Sequence, residues 1–134
     1  MASTLKLNTL TGASTAGSIA VTGEGNSTTT NLQQGLCKAW TNFDGESTVA
    51  TRDSFNVASL TDNGSGDYRH GLTNNFGNDD YSEQVTVSSQ NGHVGQIERE
   101  AYNTTSQISS YCFIPGGSAV DCNIVCVEGT GDLA

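Results

Sequence analysis

Basic residues are scarce in this chain. Five Lys and Arg stand against fourteen Asp and Glu, a formal charge of −9 over 134 residues. A polyanion or an anionic membrane surface is repelled by such a balance, so nucleic acid is not an expected partner and neither is membrane insertion. No segment approaches the roughly 20 apolar residues of a membrane span. The opening MASTLKLNTLTGASTAG has neither the basic start nor the apolar run of a secretion signal. Folding in a cytoplasm is therefore expected, with Cys37, Cys112, Cys122 and Cys126 reduced. Histidine is nearly absent too: only His70 and His93 are available as general bases. No serine sits in a G-x-S-x-G elbow and no CxxC is present. No catalytic, cofactor-binding or metal residue is assigned, and a small hydrolase is the least favoured class.

Hydrophobic residues make up 34% of the chain and charged ones 14%, so Thr, Ser, Asn and Gly fill the difference. That composition suits many turns and β surfaces. The length allows one domain with a short appendage. Residues 1–36 carry scattered apolar positions, among them Leu5, Leu7, Leu10, Ile19, Val21 and Leu32. Leu5/Leu7 and Ile19/Val21 have strand spacing, but such a segment cannot bury enough surface to fold alone. It is expected to be an extended N-terminal arm whose apolar side chains are covered by partner subunits.

Residues 37–134 read as strands and turns. CKAWTNF places Cys37, Ala39, Thr41 and Phe43 on one face and Trp40 on the other, with Trp40 expected in a core because the strand looks two-sided. STVATRDSFNVASL continues as one or two strands, and YRHGL alternates Tyr68, His70 and Leu72. EQVTVSS alternates Val85 and Val87 before Asn91–Gly92, the strongest hairpin signal. QISSYCFI puts Ile108, Ser110, Cys112 and Ile114 together, and Pro115 opens the turn PGG. AVDCNIVCV is expected to align Val120, Cys122, Ile124 and Cys126 on one face. QIEREAYN (96–103) fits one helical turn or a strand. Short strands with turns about every ten residues are the mark of an all-β antiparallel sandwich or barrel, and the expected fold is an antiparallel β-sandwich, jelly-roll-like or Ig-like.

LTDNGSGDYRHGL could hold a cation or a phosphate, but its spacing fits neither. Asp62 and Asp67 lie five apart with no closing Glu, and Gly64–Ser65–Gly66 precedes no lysine and no helix. A turn is expected there, and NFGNDDY (75–81), with Asp79 and Asp80, reads as another. Cys122 and Cys126, four apart in a strand, would stand about 13 Å apart and cannot share a zinc ion. Cys37 or Cys112 could still approach one of them across strands. His70 is expected to face a sheet surface, and His93 to flank the Asn91–Gly92 turn. Among the rings Trp40, Tyr68, Tyr81 and Tyr102, Tyr102 is the best exposed candidate for stacking on a sugar.

From about Lys38 to Tyr81 the motif order KAWTNFDG, TVATRDSFNVASLTDNGSGDY, NDDY resembles a module that recurs in bacteriophage tail-fibre and virion appendage proteins. STLKLNTL resembles the leader before that module, and NIVCV its terminal strand. The resemblance implies a virion structural subunit, a homotrimer assembled in the host bacterial cytoplasm, whose arm docks on tail or capsid proteins. It implies no catalytic residue and no cofactor. A host-surface glycan is a further partner under this reading. Complete tail fibres are much longer, which keeps a capsid decoration or head-fibre protein as an alternative, and the cysteines fall outside the pattern.

Overall fold

The computed structural model describes residues 4–12, 19–23, 28–88, 92–98 and 102–133. Their regular structure is ten β-strands, with no α-helix among the described residues and so none long and apolar enough to cross a membrane. The chain divides into two compact units, Met1–Gly35 and Leu36–Ala134.

In the first unit, β1 (Ala20–Thr22) pairs antiparallel with β2 (Thr29–Asn31), placing Val21 opposite Thr30. The Leu32 amide donates to the Ile19 carbonyl at 2.8 Å and extends the pair by one step. Asn31 Oδ1 accepts from the Gln33 amide at 2.8 Å and starts the turn that follows. Val21 thus meets its expectation of strand, with Ile19 just ahead of β1, whereas Leu5 and Leu7 do not: those residues lie in irregular backbone. A two-residue alternation without a partner strand has no ladder to join.

The second unit is all-β. One sheet has the order β4 (Ala50–Phe55), β3 (Cys37–Asp44), β10 (Val125–Thr130), β7 (Ser82–Val87). The other has the order β5 (Val57–Asp62), β6 (Asp67–Leu72), β9 (Gln107–Phe113), β8 (Val94–Ile97). Every pairing is antiparallel, and the two sheets share one core in a sandwich-like arrangement. Period-two alternation selects its members: Ala39 and Phe43 from β3, Tyr68 and Leu72 from β6, Ile108 and Cys112 from β9, Val125 and Val127 from β10. Phe43 meets the Tyr68 ring edge-on at 4.8 Å between centroids. Phe76 stacks on Tyr81 at 4.2 Å and closes one end.

Two local devices shape the sandwich. Asn56 stands between β4, an edge of one sheet, and β5, an edge of the other, with φ at +58°. That left-handed conformation reverses the pleat in one residue, and Asn tolerates it better than most side chains. On the opposite flank, β8 packs against β7 through Gly95, where a Cβ would come within 2.7 Å of Val85 Cγ1 and 2.9 Å of Val87 Cγ1.

Two expectations need correction. Trp40 is not in the core; it is 36% exposed on the outer face of β3, because within this unit no second layer covers that face. In the last strand the inward set is Val125, Val127 and Gly129, not Val120, Cys122, Ile124 and Cys126. Cys122 is buried but precedes the strand, and Ile124 is 42% exposed. Glu128 sets the phase: it shares parity with Ile124 and Cys126, and a carboxylate turned inward would need a buried partner. Asn91 of the expected hairpin turn lies outside the described residues; Gly92 beside it has φ at +74°. Of 96–103, Gln96 and Ile97 belong to β8, and residues 99–101 lie outside the described set.

Candidate functional site

The docking candidates differ in what they touch. Leu5 is 81% exposed, Leu7 and Leu10 each 55%, and Val21 52%. Ile19 and Leu32 are half-buried at the end of the β1/β2 pair. The first four therefore leave apolar surface in water, while Ile19 and Leu32 have part of theirs covered.

Tyr102 is 37% exposed, but one face of its ring is taken. The Arg69 guanidinium lies over it, 4.1 Å from the centroid, and Arg69 also pairs with Asp67 and Glu98. Only the other ring face remains for a ligand. Tyr68 is fully buried and Tyr81 half-buried; the Tyr81 hydroxyl donates to Gln107 O at 2.8 Å, and the Tyr68 hydroxyl oxygen lies 3.1 Å from Gly45 O. Burial raises the pKa of both phenols.

A better-formed surface lies on the outer face of β4-β3-β10-β7. The register sets Phe55, Trp40, Glu128 and Gln84 side by side in one row, and Asp53, Asn42, Cys126 and Thr86 in the next. Six of these line a groove of about 290 Å³: Trp40, Asn42, Gln84, Thr86, Cys126 and Glu128. Asn42 is held in place, since its Nδ2 donates to Cys126 Sγ at 3.4 Å and Arg52 Nη1 donates to its Oδ1 at 3.5 Å. Arg52 is itself fixed by Asp44 Oδ2 at 2.9 Å. Two exposed rings beside amides, a hydroxyl and a carboxylate can stack on and hydrogen-bond a neutral polar ligand. A second groove of about 250 Å³ is lined by Asp79, Asp80, Ile97 and Asn103. Among the described residues no group of three or more His, Cys, Asp or Glu is placed to hold a metal ion.

The two histidines are used differently. His70 is fully buried in β6 rather than on a sheet surface, with Nε2 2.9 Å from Ser110 Oγ and Nδ1 without a hydrogen-bond partner. Burial pulls its pKa down to about 3, so the ring is neutral. This His–Ser pair has no access to solvent and no carboxylate orienting the ring, two features a catalytic triad needs. His93 is half-buried, with Nδ1 3.3 Å from Cys122 Sγ.

The turn between β5 and β6 is held by its own backbone and side chains. Asp62 Oδ1 accepts from the Gly64 amide at 2.9 Å, and the Asn63 amide donates to Asp67 O at 2.9 Å. Gly66 has φ at +71°, and a Cβ there would sit 2.2 Å from Cys112 O. Asp121 Oδ1 accepts from the Gly66 amide at 2.8 Å and from the Tyr68 hydroxyl at 2.9 Å. That oxygen is thus engaged internally.

Two polar centres escape a sequence reading. Glu83 is 8% exposed; Asn103 Nδ2 donates to its Oε2 at 2.7 Å, and Oε1 has no partner. Burial pushes this carboxyl up to about 7. Its parity with Val85 and Val87 is the one signal the sequence carries. Asn56 is the other: Nδ2 donates to Lys38 O at 3.0 Å and Asn74 O at 2.9 Å, and Oδ1 accepts from the Asn74 amide at 2.7 Å. No protein-family model, no curated protein and no solved structure matches this chain.

Proposed function

We propose that this protein is a structural subunit of a bacteriophage virion, a short tail-fibre or appendage protein. On this reading it docks through an extended N-terminal arm and projects a β-sandwich of jelly-roll-like or Ig-like type; it has no enzymatic activity. The observation that carries it is the exposure of Leu5, Leu7, Leu10 and Val21, at 52–81%, in a unit of two short strands. Apolar surface of this kind calls for partner chains to cover it. The buried cluster of the second unit draws only on residues from Ala39 to Val127, which supports a projecting body that folds without the arm. The subunits trimerise in the host bacterial cytoplasm and join tail proteins; a capsid decoration or head-fibre role is the alternative location.

Light scattering on the full chain should give the mass of a trimer. Changing Leu5, Leu7, Leu10 and Val21 together to Ser should yield monomers with unchanged far-UV circular dichroism, absent from assembled particles. A monomeric wild type, or a variant that still enters the particle, overturns the docking reading.

A second reading, a module that binds host-surface glycan, is favoured by the outer-face groove rather than by Tyr102. Trp40 and Phe55 supply stacking faces; Asn42, Gln84 and Glu128 supply planar hydrogen-bonding groups. The assembled oligomer should bind a neutral glycan on an array and lose it with Trp40→Ala. An array without binding counts against it.

A further inference from the structure

Residues 1–35 contain one basic and one acidic residue, Lys6 and Glu24, so the net charge of −9 falls on the rest of the chain. Two β units of like charge repel when they approach each other, whereas the arm meets no such barrier. Lys6 sits between Leu5 and Leu7, all three exposed and outside any strand. The other described cations are engaged: Arg52 pairs with Asp44, Arg69 with Asp67 and Glu98, and Lys38 Nζ donates to Leu36 O at 3.1 Å. On the outer face of β4-β3-β10-β7, the exposed rings of Trp40 and Phe55 lie side by side. Glu128 stands beside Trp40 in the same row, and Asp53 beside Asn42 in the next; both carboxylates are on exposed residues. This face offers two rings and two carboxylates, and the arm offers two leucines around one ammonium. An extended segment holds Leu5 and Leu7 about 7 Å apart, the interval between successive outward residues of a strand such as Cys126 and Glu128. Lys6 starts from the other side of that segment, and its four-carbon stem is long enough to fold back toward the sheet.

We propose that the outer face of β4-β3-β10-β7 is the seat of the N-terminal arm of a second copy of this chain. This rests on the reading that the arm docks on partner chains, and it names the surface that receives it. Leu5 and Leu7 pack on the Trp40 and Phe55 rings, and Lys6 turns its ammonium toward Glu128 and Asp53. Burial of the leucines holds the segment, because an exposed ion pair contributes little on its own. The ion pair sets the direction and register of the arm. The contact is heterologous: the arm of one copy meets the sheet of the next, and repetition closes into a ring, as a trimer requires.

The test uses the full chain and Cys126, which lines the groove, as a native reporter. In a Leu7→Cys variant, mild oxidation should link position 7 to Cys126 of another copy. The link should appear as covalent multimers on a non-reducing gel and as one crosslinked peptide pair by mass spectrometry, and it should vanish when Cys126→Ser is added. Lys6→Glu and Glu128→Lys should each weaken assembly about fivefold or more by sedimentation, and the double charge swap should return it to within about twofold of wild type. Trp40→Ser with Phe55→Ser should give monomers with unchanged far-UV circular dichroism. A trimer of unchanged mass in that ring variant, or a double swap no better than either single variant, overturns the seat and leaves arm docking intact. So does a crosslink within one copy, a crosslink from position 7 to a cysteine other than Cys126, or an outer face that binds glycan in the intact trimer. A monomeric wild type removes the docking reading and this proposal with it.

Discussion

Replacing Glu83 by Gln should stabilise the protein by about 3 kcal/mol more at pH 8 than at pH 4. The Glu83 carboxyl titrates at about 7 in the fold and at 4.5 when unburied. Between those values the native state holds a proton that the unfolded chain has released, so stability falls as pH rises, by about 1.4 kcal/mol per pH unit. His70 works in the opposite sense. Its ring titrates at about 3 in the fold against 6.5 unburied, so over that interval the unfolded chain holds the extra proton. Stability from His70 is present above 6.5 and is lost as pH falls toward 3, a total of about 5 kcal/mol. From 4.5 to 6.5 the two slopes oppose each other and nearly cancel. The contribution of this pair to the wild-type curve is therefore flat there. The glutamine side chain in Glu83→Gln keeps an acceptor for Asn103 Nδ2 and cannot ionise, so the variant should expose the full His70 slope across the same interval. Urea unfolding of wild type and Glu83→Gln, followed by far-UV circular dichroism at several pH values, measures the difference directly. Any fixed cost of the new amide in the Oε1 site shifts the whole difference curve without changing its shape. A difference that stays constant from about pH 4 to pH 8 would refute the claim that Glu83 is a buried carboxyl with a raised pKa.

Asn56→Ala should destabilise the β unit by about 3 kcal/mol, from four lost side-chain hydrogen bonds and a strained left-handed backbone. Asn56→Gly relieves the backbone strain and should cost about 1 kcal/mol less than the alanine variant in the same urea experiment; equal losses would mean that φ at this corner is immaterial. Gly66→Ala should be among the most damaging substitutions, because its Cβ meets a backbone oxygen at 2.2 Å where no side chain can yield. A melting temperature within a few degrees of wild type would show that the β5/β6 turn adapts more freely than its hydrogen bonds imply.

Much of the strand pattern was legible because alternation and turn residues agree. Tyr68 and Leu72 point inward as their spacing predicts, and LTDNGSGDYRHGL forms the turn of an antiparallel pair; His70 shares their parity and is buried with them, against the expectation of a sheet surface. What alternation cannot decide is phase in a run apolar on both sides. NIVCV offers two equivalent faces, and only Glu128 beyond it breaks the tie. Trp40 illustrates a related limit: parity put it opposite Phe43, but whether anything covers that face is a tertiary fact. The Asn56 clamp and the Glu83–Asn103 pair join residues about 20 apart in sequence, a separation at which spacing carries no information. Val120 reaches the Cys112 carbonyl only because the turn between them folds back.

The pairing of β3 with β10 also determines how this unit bears force. Cys37, at the start of β3, lies opposite Thr130, at the end of β10, so both ends of the sandwich emerge from one pole. Pulling them apart unzips one rung at a time. A load between the start of β3 and anything held on the outer sheet face runs along the strand instead, and sets the rungs to β4 and β10 in shear together. The opposite pole of this unit, where Gly45, the β5/β6 turn and Asp121 meet, is held by the Tyr68 hydroxyl and the Gly66 amide instead of by paired strand ends.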